Sequence, residues 1–407
     1  MSAPRIAPLV IALDWESPHA RHRDRCYFEQ VDLARDRFPA ELGARLQDLP
    51  VGGNAKVELL FDDWQHKYQP DLIKTLPREQ FRRRSKHPMP PVIPRTGRFY
   101  PRRFISEAIE MDRDANWPVR CLQAGEQELI LDLNHPLAGR HLQLEASLLA
   151  EPRPGGDRDE PPRDILAACI ANGPGMQASL PDVDTDFFSE DTFRRIDEAG
   201  DSEFYASPRL VQHLDATCRG HIRDLYARFL QPGMRVLDLM SSWVSHLPEQ
   251  PGDLVVHGLG MNAEEMQANA RLHDYSVQDL NRDVRLPFDN ATFDAVICTA
   301  SIEYLTSPLA VFGEVARVLK PGAPLVMTFS DRWFPTKAIQ LWSELHDFER
   351  MQLVIDYLRL DGHFTQLASE SLRGYPRPAD DPYSGQLDYS DPVFAVWGTK
   401  KVLSTEC

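Results

Sequence analysis

The feature that most constrains this chain is an apolar strand interrupted by an aspartate. Residues 235–240, RVLDLM, form the near-continuous apolar run of a parallel strand that is covered on both faces. Asp238 stands inside this run, and a buried carboxylate is costly unless it meets a partner. Serines follow the strand, at the place where open α/β sheets hold their ligands. The segment therefore predicts an α/β fold with a ligand site near Asp238.

The same arrangement recurs twice downstream. Residues 293–305, FDAVICTASIEYL, contain an apolar strand, Ala295 to Thr299, that is followed by Ser301. Residues 317–330, RVLKPGAPLVMTFS, contain a helix end, a Pro-Gly turn and another apolar strand. Strand ends of this kind deliver small polar side chains to one edge of a sheet.

These three stretches, in this order, resemble the class I S-adenosylmethionine-dependent methyltransferases over roughly residues 200–400. The resemblance implies an α/β fold, a doubly wound and mostly parallel seven-stranded sheet, in a domain of residues 187–407. It also implies S-adenosyl-L-methionine as the cofactor and methyl transfer to a small-molecule or protein acceptor. Met240, Ser242 and Val244 stand where the family has a Gly-rich turn, so the methionine end of the cofactor must be held differently, or not at all.

The resemblance assigns cofactor contacts to the ends of successive strands. Asp279 would accept a hydrogen bond from the adenine amine, while the next backbone N–H meets a ring nitrogen. A plain turn aspartate is the competing interpretation, because aspartate often starts turns. The candidate cofactor-binding residues are Asp238, Ser241, Ser242, Gly258, Gly260, Asn262, Asp279, Leu280, Thr299 and Ser301.

The second strand, residues 253–261, ends without the acid that the family uses to bind ribose. Gly258 and Gly260 would let a nucleoside lie close to the backbone. Asn262 could offer ribose one acceptor and two donors. It also precedes the helical segment AEEMQANARLH as a strong N-cap, and capping alone is the favoured interpretation.

Glu303 and Tyr304 are the candidate catalytic residues. Glu303 could act as a general base or orient a nucleophile, or it could be a solvent-facing helix residue; Tyr304 is left equally open. A helix over 207–230 is predicted to start at Ser207, just after Tyr205, where the family often covers its cofactor. A long helix after the fifth strand is expected to form part of a substrate lid, and residues 391–400 are expected to form an antiparallel edge strand.

The N-terminal half has a second resemblance. Residues 68–81, YQPDLIKTLPREQF, and 129–151, LILDLNHPLAGRHLQLEASLLAE, resemble bacterial FKBP-type peptidyl-prolyl isomerases that carry an insert-in-flap domain. The implied domain is a smaller, mainly β, FKBP-like half-barrel at 1–151 with an inserted flap domain around 69–128, followed by a linker at 152–186. The family's Ala-Tyr-Gly loop falls near Trp64, Gln65 and His66, where no tyrosine holds the middle place.

A proline-containing polypeptide is the partner that this second resemblance implies. The whole chain can therefore also be interpreted as a folding factor whose C-terminal half is a non-catalytic scaffold. An aromatic set near the insert either binds an apolar partner or, as favoured here, fills a small core. Its members are Phe99, Tyr100, Phe104 and Trp117.

Charge and composition limit the partners, the cellular compartment and the metals that we expect for this chain. The net charge of −16 lies almost wholly after residue 160, which argues against a nucleic-acid partner because phosphate binding needs clustered cations. Six cysteines without paired spacing fit a reducing compartment. No apolar run is long enough for a membrane span, and the first residues are interpreted as a strand, so a cytoplasmic location is expected. No metal is expected: residues 19–25, HARHRDR, are interpreted as a solvated charged loop.

Overall fold

The computed structural model describes residues 5–39, 41–60, 67–82, 92–105, 109, 118–155, 161–189 and 191–402. The predictions for Trp64, Gln65, His66 and Trp117 lie outside these residues. The chain forms two compact units. The first comprises residues 1–189 with 345–352, and the second comprises 190–344 with 353–407.

The first unit is built mainly from antiparallel strands. Its elements are β1 (Arg5–Glu16), β2 (Arg21–Asp32), α1 (Leu42–Gln47), β3 (Asn54–Leu60), β4 (Ile73–Pro77), β5 (Phe99–Tyr100), β6 (Val119–Ala124), β7 (Glu128–Asp132), β8 (His141–Leu148), β9 (Arg153–Pro154) and α2 (Ile165–Ile170). One sheet has the order β2-β1-β8-β3, and β9 pairs with one end of β1. Alternate residues of β8 are fully buried and pack with β1, α1 and α2 in one apolar core.

A second sheet, in the order β4-β7-β6-β5, is formed by residues that lie between β3 and β8 in the chain. Phe99, Tyr100 and Phe104 are each less than a tenth exposed, and Tyr100 and Phe104 belong to the core beside this sheet. The prediction that these aromatic residues fill a small core is therefore confirmed for Tyr100 and Phe104. The FKBP-like half-barrel and flap stay a prediction.

The predicted charged loop at 19–25 is wrong, because most of it is the start of β2. Strand alternation buries His22 and Asp24 on one side, where the His22 ring stacks on Trp15 with ring centroids 4.0 Å apart. The Trp15 indole N–H donates to Asp24 at 2.9 Å. In the described part of the chain, no group of three or more His, Cys, Asp or Glu side chains could hold a metal ion.

The second unit is an α/β domain. Its elements are α3 (Asp201–Phe204), α4 (Ala216–Ala227), β10 (Arg235–Leu239), β11 (Val255–Gly260), α5 (Ala263–Ala268), β12 (Asp274–Val277), β13 (Ala295–Thr299), α6 (Pro308–Val318), β14 (Pro324–Phe329), α7 (Gln340–Glu344), α8 (Asp347–Asp361, which begins among the residues of the first unit), β15 (Phe364–Arg373) and β16 (Val393–Lys400). Its seven strands have the order β12-β11-β10-β13-β14-β16-β15. The first five are parallel, and only β16 runs against its neighbours, so the sheet is mixed.

Three expectations for this unit are corrected. β16 is antiparallel as predicted, but it lies between β14 and β15 rather than at an edge. α4 starts after Asp215, whose side chain caps it by accepting from the Cys218 N–H at 3.0 Å, and not at Ser207. α8 is buried nearly all round over residues 348–358, so it is a core helix and not a lid with one apolar face.

Among the residues that the structure describes, none of the helices combines the length and the apolar character that spanning a bilayer requires.

Candidate active site

A cavity of about 170 Å³ lies in the second unit at the carboxyl ends of β10, β11 and β13. The strand ends position it, because each strand delivers its following loop to the same edge of the sheet. The predicted site residues that line it are Asp238, Ser241, Ser242, Gly260, Asn262, Asp279, Leu280, Thr299, Ser301 and Tyr304. Gly258 and Glu303 are not among the lining residues.

Asp238 is held at the end of β10 by the first serine of the following loop. The Ser241 hydroxyl donates to its carboxylate at 2.6 Å. Only 3% of Asp238 is exposed, and this burial raises its pKa to about 6 despite the hydrogen bonds from serines. The site thus contains a carboxylate whose charge is stabilised by hydroxyl groups rather than by a cation.

The loop after β10 reaches the cavity without the family's glycines. Met240 adopts a φ of 60°, the left-handed conformation that glycine takes without steric cost. The Ser241 N–H donates to the Leu259 carbonyl at 2.7 Å, which pulls the loop against the end of β11. The strain at Met240 is therefore offset by a contact with the neighbouring strand.

Packing against protein atoms requires glycine at both predicted positions on β11. A Cβ at Gly260 would lie 2.1 Å from the Ser241 carbonyl oxygen, and one at Gly258 would lie 2.5 Å from Leu272. Both glycines therefore make room for protein atoms, and the close approach of a nucleoside stays a prediction. Gly260 still lines the cavity beside that contact.

Long-range hydrogen bonds hold the rest of this loop. The Ser242 hydroxyl donates to one oxygen of Glu265 at 2.6 Å, and the backbone N–H of Arg209 donates to the other at 2.7 Å. The Trp243 indole N–H donates to the Val211 carbonyl at 3.1 Å. Trp243 lines the cavity, and this bond fixes the position of its indole ring there.

Asn262 caps α5, as the favoured interpretation predicted. Its side-chain oxygen accepts from the Glu265 N–H at 3.0 Å. Its amide group donates to the carbonyls of Tyr205 at 2.8 Å and Ala206 at 3.2 Å. The residue therefore ties the segment before α4 to the end of β11, at the edge of the cavity.

Asp279 lies in a turn after β12 and lines the same cavity. One of its carboxylate oxygens accepts from the Asn281 N–H at 2.9 Å, so the turn interpretation describes its local structure. Asn281 in turn donates to the Asp201 carboxylate and to the Tyr304 carbonyl, both at 2.9 Å. These bonds fix the Asp279 turn to two other walls of the cavity.

The end of β13 supplies hydroxyl groups. Tyr226 and Thr299 share a hydrogen bond of 2.6 Å, and the Ser301 hydroxyl donates to the Thr299 carbonyl at 2.9 Å. The Tyr304 hydroxyl accepts from the Phe334 N–H at 2.9 Å, and its ring stacks on Phe334. Burial raises the pKa of Tyr304, so its hydroxyl stays protonated at neutral pH.

Glu303 is only 1% exposed, so the predicted solvent-facing alternative is wrong. Glu303 lies in the short 3₁₀ helix Ile302–Tyr304, and its backbone carbonyl accepts from the Ile339 N–H at 3.0 Å. That helix turns Tyr304 toward the cavity and leaves Glu303 outside the lining. Glu303 therefore does not line the cavity itself, but its side chain is hydrogen-bonded to Tyr304, which does, and its catalytic role stays a prediction.

Sequence patterns missed several lining residues, among them Asp201, Arg209, His213 and Phe334. Asp201 is held by Arg195 at 2.7 and 2.8 Å and by the fully buried Lys337 at 3.3 Å. These cations hold the pKa of Asp201 below its ordinary value, although burial acts the other way. Arg209 and His213 lie in 207–214, which was predicted to start a helix and which is irregular backbone before α4.

Comparisons with known proteins agree with this geometry. Residues 244–327 match the family model described as a methyltransferase domain. A ubiquinone/menaquinone biosynthesis C-methyltransferase of Laribacter hongkongensis is 26% identical over 159 residues, which cover 36% of this chain and 63% of that protein. The corresponding enzyme of Chromobacterium violaceum is 31% identical over 93 residues, 23% of this chain and 37% of that protein. The chain thus spans less than two thirds of either relative.

Among solved structures, a putative methyltransferase from Bacillus halodurans is similar to 46% of this chain over all of its own length, with 11% identity and a TM-score of 0.33. The second unit thus contains a segment that is similar to methyltransferase domains, in a sheet of five parallel strands with a reversed strand inserted next to the last one.

Proposed function

We propose that this protein transfers a methyl group from S-adenosyl-L-methionine to an acceptor bound in the cavity of the second unit. The observation that carries the proposal is the set of polar residues at the ends of β10 to β13, which line one cavity within a methyltransferase domain. The cofactor supplies a methyl group activated by a sulfonium sulfur.

The charges that line the cavity fit such a molecule. Four lining carboxylates, those of Asp201, Asp238, Glu265 and Asp279, suit a ligand that carries a sulfonium and an ammonium group. Arg209 is the one arginine or lysine among the described lining residues, and it suits a single carboxylate. We infer that Asp279 and Leu280 would hold the adenine, that Asn262 lies beside the ribose, and that Asp238 stands near the methionine end.

The residues of this chain would promote the reaction mainly by orientation. Holding an acceptor atom in line with the methyl carbon supplies several kcal/mol without a strong base. The acceptor would exchange a proton, which leaves to water, for the methyl group that the bound cofactor would supply. Tyr304 and Phe334, which stack on each other, offer an apolar wall to the acceptor.

The aromatic wall suits a planar small molecule. The relatives named above are C-methyltransferases, which is compatible with such an acceptor. Because the chain spans less than two thirds of each of them, their reaction is a proposal here.

Calorimetric titration of the full chain with S-adenosylmethionine tests the proposal. We expect saturable heat in the wild type and, in Asp279→Ala, about 10- to 100-fold weaker binding, because a charge-assisted hydrogen bond is lost. Asp283→Ala is the matched control, since Asp283 accepts from the Arg285 N–H in the same turn but does not line the cavity. No heat from the wild type would contradict the proposal.

The folding-factor alternative is favoured by one observation, the sheet of β4 to β7 that is nested between two strands of the first unit. A peptidyl-prolyl isomerase-like activity would accelerate isomerisation of a proline-containing peptide by the full chain. No acceleration over the uncatalysed rate would remove that alternative and leave the methyltransferase proposal untouched.

A further inference from the structure

We propose that Arg209 binds the carboxylate of the cofactor's amino-acid end and so takes over the role of the missing glycine-rich turn. The inference rests on the proposed function, and it names a residue that the sequence pattern did not single out. It follows from where Arg209 is held, what surrounds its guanidinium group and which charges it faces.

The position of Arg209 is fixed on the same glutamate that holds the loop after β10. The Glu265 carboxylate accepts from the backbone N–H of Arg209 at 2.7 Å and from the Ser242 hydroxyl at 2.6 Å. A second bond, from the Trp243 indole to the Val211 carbonyl, joins the two segments again two residues later. Arg209 therefore stands opposite the loop that replaces the glycine-rich turn.

Among the residues that the structure describes, aromatic rings and not carboxylates surround the Arg209 guanidinium group. Its carbon atom lies 4.4 Å from the ring centre of Phe204, 5.4 Å from that of Phe334 and 5.7 Å from that of Tyr205. Nη2 donates to the Phe204 carbonyl at 2.8 Å. Nη1 is buried and has no hydrogen-bond partner among the described residues. Stacking thus orients a planar cation that keeps donor capacity for a ligand.

No other lining residue offers the same chemistry within the described part of the chain. Arg209 is alone among the lining arginines and lysines, whereas four carboxylates line the cavity. Burial and the nearby Arg209 both lower the pKa of His213, so that histidine is neutral at pH 7. A ligand carboxylate in this cavity would therefore meet one fixed positive charge, that of Arg209.

The test compares two ligands that differ only in this carboxylate: S-adenosylhomocysteine and its decarboxylated amine analogue. Calorimetry on the full wild-type chain is expected to give about 10- to 100-fold tighter binding of the first, since a charge-assisted contact separates them. Equal affinity would overturn the assignment of Arg209 without touching the proposed function. Binding of neither ligand would remove the proposed function and the inference together.

Variants assign the effect to the residue. In Arg209→Met the affinity for S-adenosylhomocysteine is expected to fall to that of the decarboxylated analogue, whose own affinity changes little. Arg209→Lys keeps the charge without the planar fork and is expected to lie between. Equal loss for both ligands would mean that Arg209 only holds its segment, and no loss would mean that it does not bind the carboxylate; either overturns the inference. Arg282→Met, on an exposed arginine outside this cavity, is the control.

Discussion

The two ends of the cavity are built in different ways. At the proposed nucleoside end, formed by Asp279 and Asn262, the side-chain oxygens accept from backbone N–H groups two and three residues ahead, and the Asn262 amide also donates to carbonyls 56 and 57 residues earlier. At the proposed methionine end, formed by Ser242, Trp243 and Arg209, the partners are 23 to 56 residues apart in the chain. Both ends thus have long-range bonds, but only the first also has local turn and cap bonds.

We therefore expect that a substitution which displaces one of the segments joined at the methionine end disrupts that end of the cavity and leaves the nucleoside end able to bind its part of the ligand. Local hydrogen bonds form within a turn or a helix start, so they do not require distant segments to be in place. Long-range bonds are lost when any one of the joined segments shifts. Three predictions test this difference between the two ends of the cavity.

The largest effect is expected for Gly260→Ala. The added Cβ would lie 2.1 Å from the Ser241 carbonyl oxygen, so the loop must move away from β11. We expect the free energy of unfolding to fall by about 2–3 kcal/mol, as overpacking does, and binding of S-adenosylhomocysteine to be lost. Urea unfolding and calorimetry measure the two effects.

Gly220→Ala in α4 is the control for that substitution, because a Cβ there meets only the end of the Arg223 side chain at 3.8 Å. It should stabilise the protein by about 0.5–1 kcal/mol, the usual gain from replacing a helical glycine. If Gly260→Ala were equally harmless, the close packing of the loop on β11 would be contradicted.

An intermediate effect is expected from the titration of Asp238. Its pKa of about 6 in the folded protein lies above the ordinary 3.8, so the folded state binds the proton more tightly than the unfolded state. The free energy of unfolding should therefore fall as the pH rises through this window, by about 1 kcal/mol between pH 5 and pH 7. Asp238→Asn should lose this component, and an unchanged pH profile would contradict the burial of an ionised carboxylate.

The smallest effect is expected for Ser242→Ala. Losing the hydroxyl that donates to Glu265 should lower the free energy of unfolding by about 0.5–1 kcal/mol, because Ser242 is only partly buried, and should loosen the methionine end. S-adenosylhomocysteine should bind more weakly, while adenosine should bind as in the wild type. Ser276→Ala, which removes a hydroxyl bonded to His257 outside the cavity, is the matched control. Equal weakening of both ligands would erase the distinction between the two ends.

The parts of this molecule that follow from local pattern were predictable. The strand over residues 295–299 and the cap at Asn262 were both confirmed, because an apolar run and a capping residue act within a few positions. Asp279 was recognised from its place after a strand, and the structure brings it to the cavity. Its part in binding stays a prediction.

The parts that depend on distant partners were not predictable. Arg209 shows no periodic pattern, and its place is set by Glu265, 56 residues later. Glu303 could have been a solvent-facing residue by its sequence, but the short 3₁₀ helix Ile302–Tyr304 buries it beside Tyr304. The segment 19–25 was interpreted as a loop for its charge, yet pairing with β1 makes most of it a strand in which His22 and Asp24 find buried partners.

The place of β16 has a consequence for how the protein is made. Of the seven strands in the second unit, β16 is the last in the chain, yet it lies between β14 and β15. Because the chain is synthesised from its N-terminus, β14 cannot pair with β16 until some sixty further residues have been made. The sheet is therefore completed only after synthesis has passed residue 400, and a nascent chain stalled before that point would leave one edge of β14 unpaired in the middle of the domain.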